Sequence, residues 1–204
     1  MNWLAHIFIS ENSIDYQLGN LLADPFKGKS WEGASRQLQD GFGMHASIDS
    51  FTDSNALVSQ SKSRLGSRGY LKGVIIDITY DYCLIKNWDR YSKVDLDRFI
   101  NTFYQNANAA IVEYPDNARA FVQRLIDYRV LTSYGSVEGL ELAFRRIDKR
   151  LSRRILAKES AGGYMPVIKR ELAAIEKDFS GFFPQLVSHF RSKSGVPGGP
   201  HWLR

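Results

Sequence analysis

Acidic and histidine side chains recur at four-residue intervals in the N-terminal part of the chain. Because an α-helix turns once in about 3.6 residues, side chains four positions apart lie on the same face. Groups of this kind on one face can bind a cation together or exchange protons with a substrate, which is the chemistry of metal centres and of acid–base catalysis. The residues with this spacing are His45, Asp49 and Asp53, then Asp77 and Asp81, and also Asn20 and Asp24.

The surroundings of Asp77 and Asp81 make this pair the most informative. Both lie in a stretch from about residue 70 to residue 91 that is apolar on nearly every side, which predicts one long central helix. Two ionised carboxylates in such a helix would be costly to bury and would repel each other. A divalent cation removes both penalties, so the pattern favours a metal centre.

We therefore expect one metal centre built from several helices. Carboxylates together with an imidazole suit Mg²⁺, Mn²⁺ or Fe²⁺ better than a structural zinc site, which normally uses cysteines. A metal of this kind activates water and neutralises charge on a phosphoryl group. The predicted metal ligands are Asp24, His45, Asp49, Asp77 and Asp81.

Other roles stay open for several of these residues. His6 lies in an apolar helix, where it is either a hydrogen-bonded core residue or a functional imidazole. Asp24 precedes Pro25 and could end a helix, and Asp53 could cap the following helix. In a hydrolase, an aspartate would orient or deprotonate water and an imidazole would bind the metal or protonate the leaving oxygen. The candidate catalytic residues are His6, Asp49 and Asp81, with Asn20 and Asp53 as further polar members of the site.

The composition is that of a globular protein. The chain has 204 residues, of which 44% are hydrophobic, with one cysteine and a net charge of +5. Its hydrophobic periodicity is helical almost throughout, which predicts an all-α fold with a single helical domain over residues 1–191 and a flexible tail over residues 192–204. No apolar run approaches the ~20 residues of a membrane span, and the lone cysteine and the absence of an export signal favour a cytoplasmic protein.

A basic segment at residues 145–158 offers a docking surface. It carries seven cationic residues and one acidic residue, and on a helix its apolar stripe would face the core and leave the cations exposed. This surface is either simply solvated or a site for an acidic protein. Nucleic acid is the weaker candidate, since no aromatic residue is interleaved with the cations. The predicted partner-binding residues are Arg146, Lys149, Arg150, Arg153 and Arg154.

Four motifs together resemble the acyl carrier protein phosphodiesterase family. They are NWLAHI at residues 2–7, GNLLAD at 19–24, HASIDSFTD at 45–53 and DITYD at 77–81. The resemblance implies a helical bundle related to the HD-domain phosphohydrolases and a hydrolysis that depends on Mn²⁺ or Mg²⁺. It also implies the substrate, which is the phosphodiester between phosphopantetheine and a serine of an acidic holo-acyl carrier protein.

Two positions depart from the family pattern. Tyr82 stands where the family usually has a histidine after the aspartate that matches Asp81, and a phenol is a poor substitute for an imidazole ligand. Ala46 and Ser47 follow His45, where the family commonly has a basic residue. Three functions therefore stay open: the carrier-protein phosphodiesterase, an HD-like phosphohydrolase acting on a nucleotide or another small phosphodiester, and a non-catalytic carrier-protein-binding module, which Tyr82 favours.

Overall fold

The structure, a computed structural model, describes the backbone of residues 1–193 and the side chains of residues 1–191. This part of the chain is all-α, as predicted, with no strand and with three short 3₁₀ turns between helices. The predicted tail at residues 192–204 lies outside the described side chains. The helices are α1 Trp3–Ile9, α2 Ile14–Leu22, α3 Arg36–Ser54, α4 Ala56–Arg64, α5 Lys72–Lys86, α6 Trp88–Tyr91, α7 Leu96–Ala110, α8 Asp116–Asp127, α9 Val137–Asp148, α10 Arg153–Leu156 and α11 Met165–Lys193.

Helices α2 and α3 approach each other closely enough for their backbones to touch. A β-carbon on Gly19 would collide with the carbonyl group of Leu38, and one on Gly41 would collide with the carbonyl group of Tyr16. Glycine at both positions therefore permits a contact that any side chain would prevent. The contact places Asn20, which follows Gly19, directly against α3.

Side-chain caps determine where α3 and α4 begin. Ser35 accepts a hydrogen bond from the Leu38 amide at 3.2 Å, and Asn55 accepts one from the Leu57 amide at 2.9 Å. Both caps satisfy amide groups that have no partner within their own helix. Because α3 runs unbroken to Ser54, His45 and Asp49 lie one turn apart on the same helix, as predicted.

The central position predicted for α5 is confirmed. Ile75, Tyr80 and Leu84 are fully buried. The Tyr80 ring packs against Phe179 and Phe182 of α11, with ring centroids 5.2 Å and 5.6 Å away. Aromatic pairs at such distances add to the stability that burial provides. Among the described helices, none combines the length and the apolar character needed to cross a bilayer.

The predicted single helix over residues 70–91 is wrong at its C-terminal end, because α5 stops at Lys86 and the short α6 follows. Asn87 has φ −113° and ψ 19°, which are not helical values. Its side chain donates hydrogen bonds to the Cys83 carbonyl at 3.0 Å and to the Glu176 carboxylate at 2.6 Å. These bonds satisfy the helix end and tie it to α11.

The basic segment is likewise not one continuous helix. The α9 helix ends at Asp148, whose carboxylate accepts hydrogen bonds from the Ala161 amide at 2.6 Å and the Gly162 amide at 3.0 Å. The Ser152 hydroxyl then caps the separate helix α10. Tertiary contacts of Asp148 thus divide the segment into two elements.

Candidate metal centre

Two imidazole rings from different helices stack in the interior. His6 of α1 and His45 of α3 have ring centroids 4.1 Å apart and planes inclined by 20°. His6 is fully buried and His45 nearly so. Buried imidazoles of this kind need hydrogen-bond partners for both ring nitrogens, and these partners define the chemistry of the site.

Asn20 of α2 orients both rings. The His6 Nδ1–H donates to the Asn20 side-chain carbonyl at 2.8 Å, and the His45 Nδ1–H donates to the Asn20 backbone carbonyl at 2.7 Å. The Asn20 amide group cannot be reversed, because its nitrogen donates to the His6 carbonyl at 3.1 Å and to the Ser10 hydroxyl at 2.9 Å. Each histidine therefore carries a proton on Nδ1, and its Nε2 is available as a ligand.

The Nε2 atoms face oxygen atoms. His6 Nε2 lies 3.1 Å from the Met1 carbonyl oxygen and 3.3 Å from Asp49 Oδ1. His45 Nε2 lies 3.1 Å from Asp49 Oδ2 and 3.1 Å from Asp24 Oδ1. Lone pairs that face each other at these distances repel unless a proton or a metal cation lies between them.

The pKa shifts show how the two rings differ. Burial favours the neutral form of His45, but hydrogen bonds with Asp24 and Asp49 outweigh burial and raise its pKa to about 9. Burial lowers the pKa of His6, so this ring is neutral and its unprotonated Nε2 faces the Met1 and Asp49 oxygens. The hydrogen bond with His45 lowers the pKa of Asp24, and both imidazoles hold the pKa of Asp49 well below its usual range although burial acts to raise it.

His6, His45 and Asp49 form a group suited to a divalent metal. One donor atom from each residue lies within 4.8 Å of the others. Two imidazole nitrogens and a carboxylate oxygen are ordinary ligands for divalent first-row metals, and binding of a metal would displace the proton that His45 otherwise holds. The Asn20 carbonyls behind the rings are the supporting hydrogen-bond partners that such histidines normally have. The residues therefore fit a metal ion.

Asp77 borders the same group from α5. Its Oδ1 atom lies 3.2 Å from the Met1 amino nitrogen, which is also 3.7 Å from Asp49 Oδ1. The Asp77 side chain is 30% exposed and that of Asp24 is 63% exposed, so both carboxylates are open to solvent or ligand. The structure thus brings together four of the five predicted ligands and adds His6.

The fifth predicted ligand, Asp81, is engaged elsewhere. Its carboxylate is fully buried and accepts hydrogen bonds from the Leu4 amide at 3.0 Å and the Ala5 amide at 3.3 Å. These amides belong to the first turn of α1, where backbone N–H groups lack helical partners. Burial raises the pKa of Asp81 to about 7. Asp81 therefore fastens α1, and with it His6, to α5.

Asp53 also lies apart from the group. It is exposed, and its carboxylate pairs with the Lys62 amino group at 2.7 Å. Exposed pairs of this kind contribute little to stability. Of the three residues predicted to share a helix face, His45 and Asp49 thus belong to the metal-binding group, and Asp53 lies at the surface.

Comparison with known proteins identifies the family of this chain. A model of the family described as Acyl carrier protein phosphodiesterase matches residues 1–186. The chain belongs to the acyl carrier protein phosphodiesterase family. Proteins named acyl carrier protein phosphodiesterase from Yersinia enterocolitica and Photorhabdus laumondii are each 26% identical to it over 95% of the chain, covering 99% and 96% of the relatives. No solved structure matches the chain, so its expected relation to the HD-domain phosphohydrolases stays a prediction.

Tyr82, the position at which the sequence departs from the expected family pattern, is buried on α5. Burial raises the pKa of its phenol, and the nearby charges of Glu176 and Glu138 act in the same direction. Tyr82 follows Asp81, and α5 turns by about 100° per residue, so the two side chains leave the helix in different directions. Tyr82 is not among the grouped metal-binding residues His6, His45 and Asp49.

Two cavities meet at Asp24, beside the metal-binding group. The first, here the polar cavity, has a volume of about 730 Å³ and is lined by Asp24, His45, Asp49 and residues 27–30. The second, here the apolar cavity, has a volume of about 460 Å³ and is lined by residues of α1, α5, α8 and α9, including Trp3 and Ile78. Asp24 lines both cavities.

The predicted partner-binding cations occupy two places. Arg146 and Arg150 are exposed and line the apolar cavity. Lys149, between them in sequence, is also exposed, as are the two arginines of α10, Arg153 and Arg154. The charged surface predicted from the sequence therefore begins at the cavity that shares Asp24 with the polar cavity.

Sequence reasoning missed two cations of the phosphodiesterase site. Lys27 and Lys29 line the polar cavity from the loop after α2. The loop turns through Lys27 at φ 54° and Gly28 at φ 74°, and a non-glycine residue in this left-handed region marks a backbone held by its surroundings. The sequence contains one indication of these cations, the Lys27-Gly28-Lys29 run that follows Asp24. Helical spacing does not extend into this loop, so it does not predict that the lysines lie near the site.

Proposed function

We propose that this chain hydrolyses the phosphodiester between phosphopantetheine and a serine of holo-acyl carrier protein, releasing apo-carrier protein and phosphopantetheine. The observation that carries the proposal is the pair of stacked imidazoles, whose Nε2 atoms face Asp49 and Asp24 in a member of this family. A phosphodiesterase needs such a concentration of metal ligands beside an open cavity.

The cofactor in this proposal is Mn²⁺ or Mg²⁺, held by His6, His45 and Asp49 with Asp24 and Asp77 beside them. When bound, a divalent metal neutralises charge on the phosphoryl oxygens and lowers the pKa of a coordinated water. Imidazole ligands favour Mn²⁺ of the two, because Mg²⁺ prefers oxygen ligands.

The protein residues have separable roles. Asn20 holds both imidazoles with Nε2 toward the carboxylates, and Asp49 contacts both Nε2 atoms. Asp24 combines a contact to His45 with an exposed carboxylate, so we assign it to orient the attacking water from the polar cavity. A water in the polar cavity supplies the proton for the leaving serine oxygen, because His45 Nδ1 donates to the Asn20 carbonyl and its Nε2 is reserved for the metal.

An acidic carrier protein suits the charge around the site. Lys27 and Lys29 line one cavity, and Arg146 and Arg150 line the other. Cations at the edge of a site attract an acidic partner over a distance and make association sensitive to salt. A cytoplasmic location is part of the proposal, since the free, buried Cys83 thiol suits a reducing compartment.

The test is the intact mass of holo-acyl carrier protein after incubation with the chain and Mn²⁺. The expected result is that the carrier protein loses the mass of phosphopantetheine. After treatment of the chain with a chelator, no mass should be lost. Asp49→Asn should abolish the reaction, whereas Asp53→Asn, one turn along the same helix, should leave it intact. Complex formation without loss of mass would instead support the non-catalytic binding module, and hydrolysis of small diesters alone would support the second alternative.

A further inference from the structure

The apolar cavity has the size and lining of a small-molecule site. Its volume of about 460 Å³ lies within the range of about 300–1,000 Å³ that is typical of ligand pockets. Its wall consists mainly of apolar side chains, among them Trp3, Ile78, Leu125 and Tyr134. Such a wall suits an uncharged, narrow segment of a ligand better than it suits a phosphate.

The position of Asp24 connects this cavity to the metal-binding group. Asp24 lines both cavities, and its carboxylate lies 3.1 Å from His45 Nε2. A phosphodiester held beside Asp24 would therefore have access to both cavities. The polar cavity is bordered by the exposed Lys27 and Lys29 and suits the surface of a protein. The apolar cavity is then left for the other substituent of the phosphate.

Hydrogen-bonding groups are placed along the apolar cavity. Asn2 lines the cavity, and its buried side-chain nitrogen makes no hydrogen bond of normal geometry, although it lies near the Tyr134 phenol. A buried donor of this kind lowers the stability of the fold unless a ligand accepts a hydrogen bond from it. Burial raises the pKa of Tyr134 to about 12, although Asn2 acts to lower it, so the tyrosine phenol is neutral and can exchange hydrogen bonds with an amide.

The entrance of the cavity is cationic. Arg124, Arg146 and Arg150 all line the cavity and are all exposed. Three cations around an apolar interior suit a ligand whose inner part is uncharged and whose outer part belongs to an acidic surface. The pantetheine arm of a carrier protein has this form, with two amide groups and a thiol on a narrow chain attached to an acidic protein.

We propose that the apolar cavity binds the pantetheine arm of the holo-carrier protein, with Asn2 and Tyr134 as hydrogen-bonding partners of its amide groups. This inference rests on the proposed function and assigns the arm a site that the family name does not specify. The cavity would then determine specificity, because apo-carrier protein lacks the arm and would bind more weakly.

The test compares two substitutions of half-exposed aliphatic residues. Val74 lines the apolar cavity and is 38% exposed, whereas Leu142 is 48% exposed and is not among the residues lining that cavity. Val74→Trp should fill the cavity and lower kcat/KM for holo-carrier protein by on the order of a hundredfold, since a misplaced substrate reacts poorly. Leu142→Trp should stay within about twofold of the wild type. The Tm and the bound Mn²⁺ of both variants are measured to exclude unfolding and metal loss.

Binding of free phosphopantetheine separates this inference from the proposed function. Calorimetry should show binding to the wild type and to Leu142→Trp and at least about tenfold weaker binding to Val74→Trp. If the wild type does not cleave holo-carrier protein but this binding pattern holds, the proposed function fails and the cavity assignment stands. If Val74→Trp cleaves holo-carrier protein as fast as Leu142→Trp, the cavity assignment fails. If the wild type neither cleaves nor binds, both fail.

Discussion

The side-chain carbonyl of Asn20 accepts a hydrogen bond from His6 Nδ1 at 2.8 Å, which leaves His6 Nε2 as a neutral ligand directed at Asp49. The corresponding partner of His45 is the backbone carbonyl of Asn20, which no substitution at this position removes. One residue therefore orients both imidazoles, but only the His6 contact depends on its side chain.

Asn20→Ala should weaken metal binding through His6 alone. Loss of a supporting partner of a metal-binding histidine typically reduces metal affinity by about 10- to 100-fold. We expect a reduction of this order in Mn²⁺ affinity, measured by titration of the metal-free protein. Asn106→Ala, an exposed asparagine of α7, is the control and should bind Mn²⁺ like the wild type. An unchanged affinity in Asn20→Ala would show that His6 does not bind the metal.

The backbone contact between α2 and α3 makes Gly41 essential for stability. A β-carbon there would collide with the Tyr16 carbonyl, whereas one on Gly43 of the same helix would have no atom within 4 Å. Gly41→Ala should lower the free energy of unfolding by about 1–3 kcal/mol through overpacking. Gly43→Ala should leave it unchanged or raise it by up to about 1 kcal/mol. Urea unfolding of the metal-free proteins measures both, and equal effects would contradict the close contact.

Helical spacing in the sequence predicts only part of this site. The interval between His45 and Asp49 shows that they share a face, and the apolar surroundings of Asp77 show that its helix is central. Spacing does not show what lies opposite. The partner of Asp81 is the start of α1 and that of Asp53 is Lys62, although both have the same spacing as the residues near the metal-binding group.

The errors in predicting helix ends have the same origin. Asn87 ends α5 through a hydrogen bond with Glu176, which lies far away in sequence, and Asp148 ends α9 through the amides of Ala161 and Gly162. Periodicity continues across both positions because apolar residues four apart flank each of them. These residues are Leu84 and Trp88 around Asn87, and Ile147 and Leu151 around Asp148. Tertiary contacts between distant segments, which a local pattern does not contain, decide where these helices stop.

Asp81 should be a structural residue rather than a metal ligand. Its carboxylate is occupied by the Leu4 and Ala5 amides, so Asp81→Asn should change the Tm while Mn²⁺ affinity stays within about threefold of the wild type. Asp49→Asn, which alters a carboxylate facing both imidazoles, should lower the affinity by about a hundredfold or more. A similar loss of metal in both variants would place Asp81 among the ligands.

Glu159 fastens the start of α5 and should make stability depend on pH. Its carboxylate accepts hydrogen bonds from the Tyr70 amide at 2.7 Å, the Leu71 amide at 2.9 Å and the Tyr164 hydroxyl at 2.6 Å. Burial acts to raise the pKa of Glu159, but these hydrogen bonds outweigh it and lower the pKa. Because the pKa is lower in the folded state, the stabilisation is present at neutral pH and is lost as the pH falls through the lowered value.

Glu159→Gln should therefore reduce the free energy of unfolding by about 1 kcal/mol at neutral pH, and by less at an acidic pH below the ordinary pKa of glutamate, where the wild-type carboxylate becomes protonated. Urea unfolding at both pH values measures the difference. Glu113→Gln, at an exposed position, should have little effect at either pH. A destabilisation by Glu159→Gln that does not depend on pH would mean that the charge of Glu159 contributes nothing.

The cations at the apolar cavity should act on the rate of association with the carrier protein. Arg150 lies at the cavity entrance, and Arg98 on α7 is exposed but lines neither cavity. Arg150→Glu should raise the KM for holo-carrier protein by about tenfold at low ionic strength with little change in kcat, because a charge near the entrance affects encounter more than chemistry. The effect should shrink in high salt, which screens charges over about 10 Å at 0.1 M. Arg98→Glu is the control, because it changes the net charge by the same amount at a position away from the cavity. An equal effect of both substitutions would show that overall charge, and not this surface, attracts the carrier protein.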